Sequence, residues 1–285
     1  MAVEVLTPYQ AADGFLLSLE AGWNQTEDDW RLMIEAGTAF GLRDSNQILI
    51  ATALALPHGH QFAWISMVLV TAAFQRRGIA SGLLALCIAD IENRGLVAGL
   101  DATPSGRQVY LPLGFEDVYG LQRLQGANVA MNEVVNTPDG ITIHPLYAEN
   151  ADAVVAFDAS LFGGERSAIL KHLTMRQPGN SWIARVDATN EVVGYALGRD
   201  GRESRQIGPL FARSEDLAIA LASRALTALS GTVYIDVADR HVSLNAWLAA
   251  QGFAPQRPFS RMYKGRNQAF DDPESVFAIA GPELG

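Results

Sequence analysis

Apolar positions along the chain follow two rhythms. A four-residue spacing puts Ile79, Leu83, Cys87 and Ile91 on one helical face, flanked by Leu84 and Ile88 and stopped at Gly95. Continuous apolar runs between turn residues read as strands. "TAFGLR" and "QILIATALAL" flank Asp44-Ser45-Asn46, and "QFAWISMVLV" is apolar enough for the middle of a sheet. Upstream, "YQAADGFLLSLEAGWNQTEDDWRLMIEAG" predicts two helical pieces broken near Gly22. Downstream, "LVAGLDA" predicts a strand, "PSGRQVYLPLGF" a short helix and "EDVYGLQRL" a closing strand.

After "NTPDG" (136–140), a linker by composition, the pattern restarts. "ITIHPL" reads as a strand, "NADAVVAFDASLF" and "RSAILKHLTM" as helices, and "SWIARVD" with "EVVGYALGRD" as a hairpin. A strand ("RQIGPLFA"), a helix ("SEDLAIALASRALTAL"), a strand ("TVYIDVA") and a helix ("SLNAWLAAQGF") follow. Adding 138 carries Ile79 to Leu217, Ala80 to Ala218, Leu83 to Leu221, Gly114 to Gly252 and Phe115 to Phe253. One offset held from helix to corner predicts an internal duplication of a mixed α/β unit. The expected division is 1–136, 141–264, and an unassigned extension at 265–285.

The bulk numbers exclude several classes. With 285 residues, 49% hydrophobic and 18% charged, the chain is globular. A net charge of −10 argues against nucleic acid as the main partner. The sole cysteine, Cys87, lies in an apolar stripe and reads as a core thiol. "MAVEVLTPYQ" lacks a secretory pattern, and the longest apolar stretch is too short for a bilayer, so a cytoplasmic protein without a membrane partner is expected.

One stretch carries chemistry. In "TAAFQRRGIASGLLALC" two arginines and a glycine sit between a strand and a helix. A helix N-terminus offers unpaired N–H groups, a glycine lets an anion approach them, and arginines add charge. No G-x-G-x-x-G and no G-K-[ST] is present, which removes dinucleotide and P-loop readings.

The order "MVLV", "QRRGIA", apolar helix, strand, then "Tyr110-Leu111-Pro112-Leu113-Gly114-Phe115" resembles the GNAT superfamily of acetyl-CoA-dependent N-acetyltransferases. The resemblance implies an α/β fold with a mixed sheet, in two tandem GNAT-like domains covering nearly the whole chain. It implies that Gln75, Arg76, Arg77, Gly78, Ile79 and Ala80, with the Ser81 hydroxyl, hold the coenzyme A pyrophosphate. Val68, Leu69 and Val70 fall to the pantetheine arm. The family's asparagine at the start of the short helix is absent here, where Thr103 or Ser105 stands. Tyr110 falls where such enzymes keep the acid that protonates the leaving thiolate. The amine attacks the thioester directly, and no metal is expected.

No carboxylate in "MVLV" marks a base, so loss of the amine proton through water is one option, with Asp101, Asp117 or Asp28 assisting as others. "Gly22-Trp23-Asn24-Gln25" is the candidate acceptor wall, chiefly Trp23 and Asn24. His58 and His60 read as solvated loop residues. In the second copy the same offset gives Arg213, Ser214, Glu215, Asp216, Leu217 and Ala218 for the loop, and Leu248 for Tyr110. Carboxylates there repel a pyrophosphate, so this copy reads as degenerate and as a wall of the first copy's cleft. A small-molecule amine is the preferred acceptor. A protein lysine or N-terminus, a coenzyme A-binding regulator without turnover, and aminoacyl transfer from tRNA are the alternatives. The oligomeric state stays open, with a homodimer as one option.

Overall fold

The structure is a computed structural model that describes residues 2–129, 134–177 and 179–285. Its first half runs β1 (Val3–Val5), α1 (Ala11–Glu20), α2 (Glu27–Ala36), β2 (Thr38–Arg43), β3 (Leu49–His58), β4 (Phe62–Val70), α3 (Ile79–Asn93), β5 (Val97–Ala102), α4 (Pro104–Tyr110) and β6 (Phe115–Val129). The second half repeats this order element for element. It runs β7 (Ile141–Pro145), α5 (Ala151–Phe162), α6 (Ser167–Arg176), β8 (Trp182–Val186), β9 (Val192–Arg199), β10 (Arg205–Ala212), α7 (Glu215–Thr227), β11 (Gly231–Ala238), α8 (Val242–Ala250) and β12 (Phe253–Lys264). A short β13 (Val276–Ala278) follows.

The helices form for local reasons. The hydroxyl of Thr26 accepts from Asp29 N while the Asp29 carboxylate accepts from Thr26 N, a reciprocal cap that starts α2. Helix α3 buries Leu83, Leu84, Cys87 and Ile91 against β3 and β4, which are almost wholly buried between helices on both faces. Burial pushes the Cys87 thiol up to about 12, so it packs as an inert core group.

All strands join one sheet in the order β1-β2-β3-β4-β5-β12-β6-β11-β13-β10-β9-β8-β7. The closing strands are exchanged. Strand β12, from the second half, pairs with β5 of the first, and β6 pairs with β11. The two then pair with each other along their length at the centre. "NTPDG" therefore links two units that complete each other's sheets, not two separately finished ones.

The exchange carries a repeated ion pair. Arg261 on β12 lies opposite Asp101 on β5, and Arg123 on β6 opposite Asp236 on β11. Both pairs are bidentate: Arg261 donates to Asp101 at 3.0 and 2.9 Å, and Arg123 to Asp236 at 2.7 and 2.8 Å. Arg123 and Arg261 are 138 residues apart, the sequence offset again. Each guanidinium is desolvated, so losing either carboxylate would strand a buried charge.

Residues 265–285, expected to be an extension, belong to the core. Phe277, Ile279, Ala280 and Leu284 are buried. Trp64 Nε1 donates to Pro282 O at 2.9 Å, and the buried Arg166 donates to Gly285 O at 2.7 Å. His58, expected in solvent, is fully buried among Phe62, Trp64 and Phe162 beside this tail, whereas His60 is exposed. Burial, with Arg166 and Arg261 nearby, holds the His58 imidazole neutral, well below its ordinary range.

The strand gap differs between halves. Strands β4 and β5 run parallel only from Phe62↔Val97 to Trp64↔Gly99 and then diverge. Strands β10 and β11 pair in the same way from Arg205↔Val233 to Ile207↔Ile235. There the opening is filled: Ala278 of β13 pairs with Leu210 on one side and Val237 on the other.

Candidate active site

In the first half the V between β4 and β5 stays open. Beyond Trp64, the β4 edge facing β5 has no strand partner among the described residues, and although Val70 O accepts from Gln75 Nε2 at 3.0 Å, this leaves room for an extended ligand to pair along it. The register of β4 on β3 shifts between Thr52 and Leu54, and Met67 takes φ 51° at that bulge. A non-glycine residue in this region is strained, by about 1–3 kcal/mol, and needs support. The buried Thr52 hydroxyl gives it, donating to Met67 O at 2.9 Å.

Helix α3 begins at the mouth of this V. Its N-cap is Gly78 at φ 77°, with no side-chain cap, so the first-turn N–H groups stay available. Arg76 also takes a left-handed φ, 60°, and the two turns curl the loop over the helix start. A groove of about 310 Å³ lies here, lined by Val68, Val70, Gln75, Arg76, Gly78, Ile79, Ala80 and Ser81 among others. Two expected members face elsewhere. Arg77 donates to Ala73 O at 2.9 Å and lies over the Phe74 ring. The Leu69 side chain is buried in the core, leaving only its backbone to the strand edge.

The groove continues into a cleft of about 720 Å³ that shares Val68, Gln75, Arg76 and Ala80 with it. Tyr110, from the end of α4, lines this cleft. Its ring packs against Phe115 and over Gly106, where an added Cβ would come within 3.1 Å of the ring. The hydroxyl has no partner among the described residues, and burial raises its pKa, so it keeps its proton at neutral pH. Thr103 lines the cleft too, but its hydroxyl already caps α4, accepting from Gly106 N at 3.2 Å.

The acceptor wall differs in part from expectation. Trp23 and Gln25 line the cleft, and so does Asn24, but the Asn24 amide is spent. It accepts from Glu203 N and Ser204 N, both at 3.0 Å, and donates to Ser204 O at 2.8 Å. Asn24 thus straps the α1–α2 loop to the second half. Two buried polar atoms in the wall, Gln25 Oε1 and Ser66 Oγ, have no partner among the described residues. Of the proposed bases, only Asp101 reaches the cleft, and Arg261 engages it. Burial pushes its carboxyl up, and Arg261 offsets part of that. Asp117 pairs with Arg107, and neither Asp117 nor Asp28 lines the cleft.

The second copy was expected to wall the cleft, but none of the residues that do so was named from the sequence. Glu203, Tyr234, Gln256, Arg257 and Phe259 of the second half, with Pro282 and Glu283 of the tail, complete the cleft. Part of the signal was present: Arg257, Phe259 and Arg261 alternate at period two, so they share a face.

The second half differs at the matching positions. Eight residues (71–78) join β4 to α3, but two (213–214) join β10 to α7. The residue at the position of Gly78 is Ser214, whose hydroxyl caps the helix by accepting from Leu217 N at 3.3 Å. The offset had put Asp216 there; α7 begins two residues earlier than the offset places it. Glu215 and Asp216 still fill the first turn, Leu248 is a buried core residue, and β13 occupies the V.

Comparison with known proteins decides the family. The acetyltransferase (GNAT) family matches residues 9–115, and an acetyltransferase (GNAT) domain matches 154–278. The chain is a tandem GNAT acyltransferase. It is 25% identical over 240 residues to the uncharacterized N-acetyltransferase YitH of Bacillus subtilis (strain 168), covering 82% of this chain and 81% of that one. It is 26% identical over 238 residues to holothin acyltransferase of Pseudoalteromonas sp. (strain SANK 73390), covering 83% and 78%. In fold it is similar to a putative acetyltransferase from Pyrococcus horikoshii, with a TM-score of 0.77 and 17% identity over 100% and 95% of the two chains. Among the described residues of this tandem GNAT, no helix is long and apolar enough to cross a membrane.

Proposed function

We propose that the chain acetylates the amine of a small molecule with acetyl-CoA, at one site in its first half. The observation that carries this reading is continuity. An uncapped helix start, an unpaired strand edge and a protonated tyrosine line two adjoining cavities that share Val68, Gln75, Arg76 and Ala80.

In this reading Gly78, Ile79, Ala80 and Ser81 present first-turn N–H groups to the pyrophosphate, with Arg76 beside them. The open β4 edge at Val68–Val70 takes the pantetheine amides. A backbone N–H at the Met67 bulge polarises the thioester carbonyl. Gln25 Oε1 and Ser66 Oγ accept hydrogen bonds from the acceptor's amine, which relieves two orphaned acceptors. The neutral amine forms the new C–N bond as the C–S bond breaks, Tyr110 gives its proton to the departing thiolate, and the proton lost by the nitrogen passes through solvent water and restores the Tyr110 hydroxyl.

The cleft supports a small acceptor because its far wall is closed by the second half and the tail. Its volume of about 720 Å³ suits a ligand rather than a protein surface. The relative named holothin acyltransferase, and a fold neighbour titled a tandem GNAT protein from the clavulanic acid biosynthesis pathway (TM-score 0.64, 17% identity), both carry names tied to particular compounds. Thiol release from acetyl-CoA across a panel of small amines tests the reading. Turnover with at least one amine, lost in Tyr110→Phe, is expected. Efficient acetylation of protein lysines with no small amine accepted would overturn it.

A further inference from the structure

Among the described residues, every charged side chain lining the cleft is paired except Arg76 and Arg257, and of these two only Arg257 stays out of the groove proposed for the pyrophosphate. Asp101 is held by Arg261, Glu283 by Arg199, and Glu203 by Arg202. Arg123 is held by Asp236, and its guanidinium lies 5.0 Å from the Tyr234 ring and 5.5 Å from the Phe259 ring. Arg257 is different. It lines the cleft, is half-buried, and makes no hydrogen bond or ion pair among the described residues.

Its position makes this more than an idle surface cation. On β12, Arg257 lies directly opposite Arg123 of β6, so the two side chains share the face that carries Phe259, Arg261 and Asp101. Like charges directly across an antiparallel pair repel. Asp236 has its two oxygens taken by Arg123 and Gln206, and the other carboxylate acting on Arg123, Glu283, is held by Arg199. Arg76, the other lining arginine without a partner among the described residues, also lines the groove proposed for the pyrophosphate, whereas Arg257 lines only the cleft it shares with Trp23, Gln25 and Ser66.

We infer that Arg257 receives an anionic group on the acceptor, so the acceptor is an amine that also carries a carboxylate or a phosphate. The inference rests on the acetyltransferase reading of the cleft and names its substrate class. The planar fork of arginine suits either anion bidentately. The second half then contributes specificity, which explains an arginine kept in the wall of a site whose chemistry lies in the first half.

The test is calorimetric titration of the full chain saturated with coenzyme A, using γ-aminobutyrate, aminoethyl phosphate and the amide of γ-aminobutyrate. At least one anionic probe should bind better than the amide, on the order of ten- to a hundredfold for a charge-assisted pair. Arg257→Gln should collapse that ratio, and Arg257→Lys should keep part of it. Coenzyme A affinity, measured alongside, reports folding of each variant. Which anion loses more in Arg257→Gln separates carboxylate from phosphate. No preference for either anion, or a preference that survives Arg257→Gln, overturns the inference. Binding without turnover of any amine would instead count against the acetyltransferase reading.

Discussion

Gly78→Asn and Gly78→Asp together separate backbone from charge at the proposed pyrophosphate loop. A Cβ at this position meets nothing within 4 Å, so neither side chain clashes. The φ of 77° is left-handed, which asparagine and aspartate tolerate better than other residues, at a cost below the roughly 1–2 kcal/mol typical of L-residues. The two variants therefore share a backbone penalty and nearly the same shape. They differ by one negative charge at the helix start. At about 5 Å and an effective dielectric near 20, one charge pair is worth about 3 kcal/mol, on the order of a hundredfold in affinity. Titrating coenzyme A into each full-length variant at low salt should show modest weakening for Asn and near loss for Asp. Added salt should shrink the gap, because the groove is open to solvent. Equal affinities of the two variants at low salt would refute the placement of the pyrophosphate on this helix.

Tyr110→Phe should lower turnover on the order of a hundredfold while leaving coenzyme A affinity close to wild type, read by thiol release and calorimetry. Asn24→Ala should cost about 1–3 kcal/mol in denaturant unfolding for each buried polar backbone group of Ser204 left unpaired. It should also raise the apparent acceptor constant more than the acetyl-CoA constant, since the strap holds the acceptor wall. His58 is neutral when folded and binds a proton near 6.5 when unfolded, so the unfolded chain takes up more protons below that pH. Stability should therefore fall as pH drops below about 6.5, by up to about 1.4 kcal/mol per unit from this group, and His58→Leu should flatten that slope in unfolding profiles.

The loop, the helix behind it and the Tyr110–Phe115 corner were legible because each is a local pattern. Gly78 at a strand-to-helix junction and the stripe Leu83, Leu84, Cys87 and Ile91 need only neighbours in sequence. The exchange of β6 and β12 was not legible, since the two strands descend from one repeat and either could complete either sheet. The tail escaped for a related reason: "DDPES" reads as a polar loop, and three residues of β13 are too few for a period. The fixed offset sets Asp216 against Gly78 because it cannot register linkers of eight residues in one half and two in the other. Asn24 looked like a ligand-facing amide; only the fold shows Glu203 and Ser204 against it. Arg257 had no visible role until β12 brought it across from Arg123.

The central claim is one working site per chain, with the first half's V open and the second's filled by its own tail. Titrating coenzyme A into the intact chain and reading the stoichiometry tests it most directly. The account predicts one molecule per chain, with heat of binding lost in Gly78→Asp and retained in Ser214→Ala. Two molecules per chain, or one whose binding survives Gly78→Asp, would contradict it.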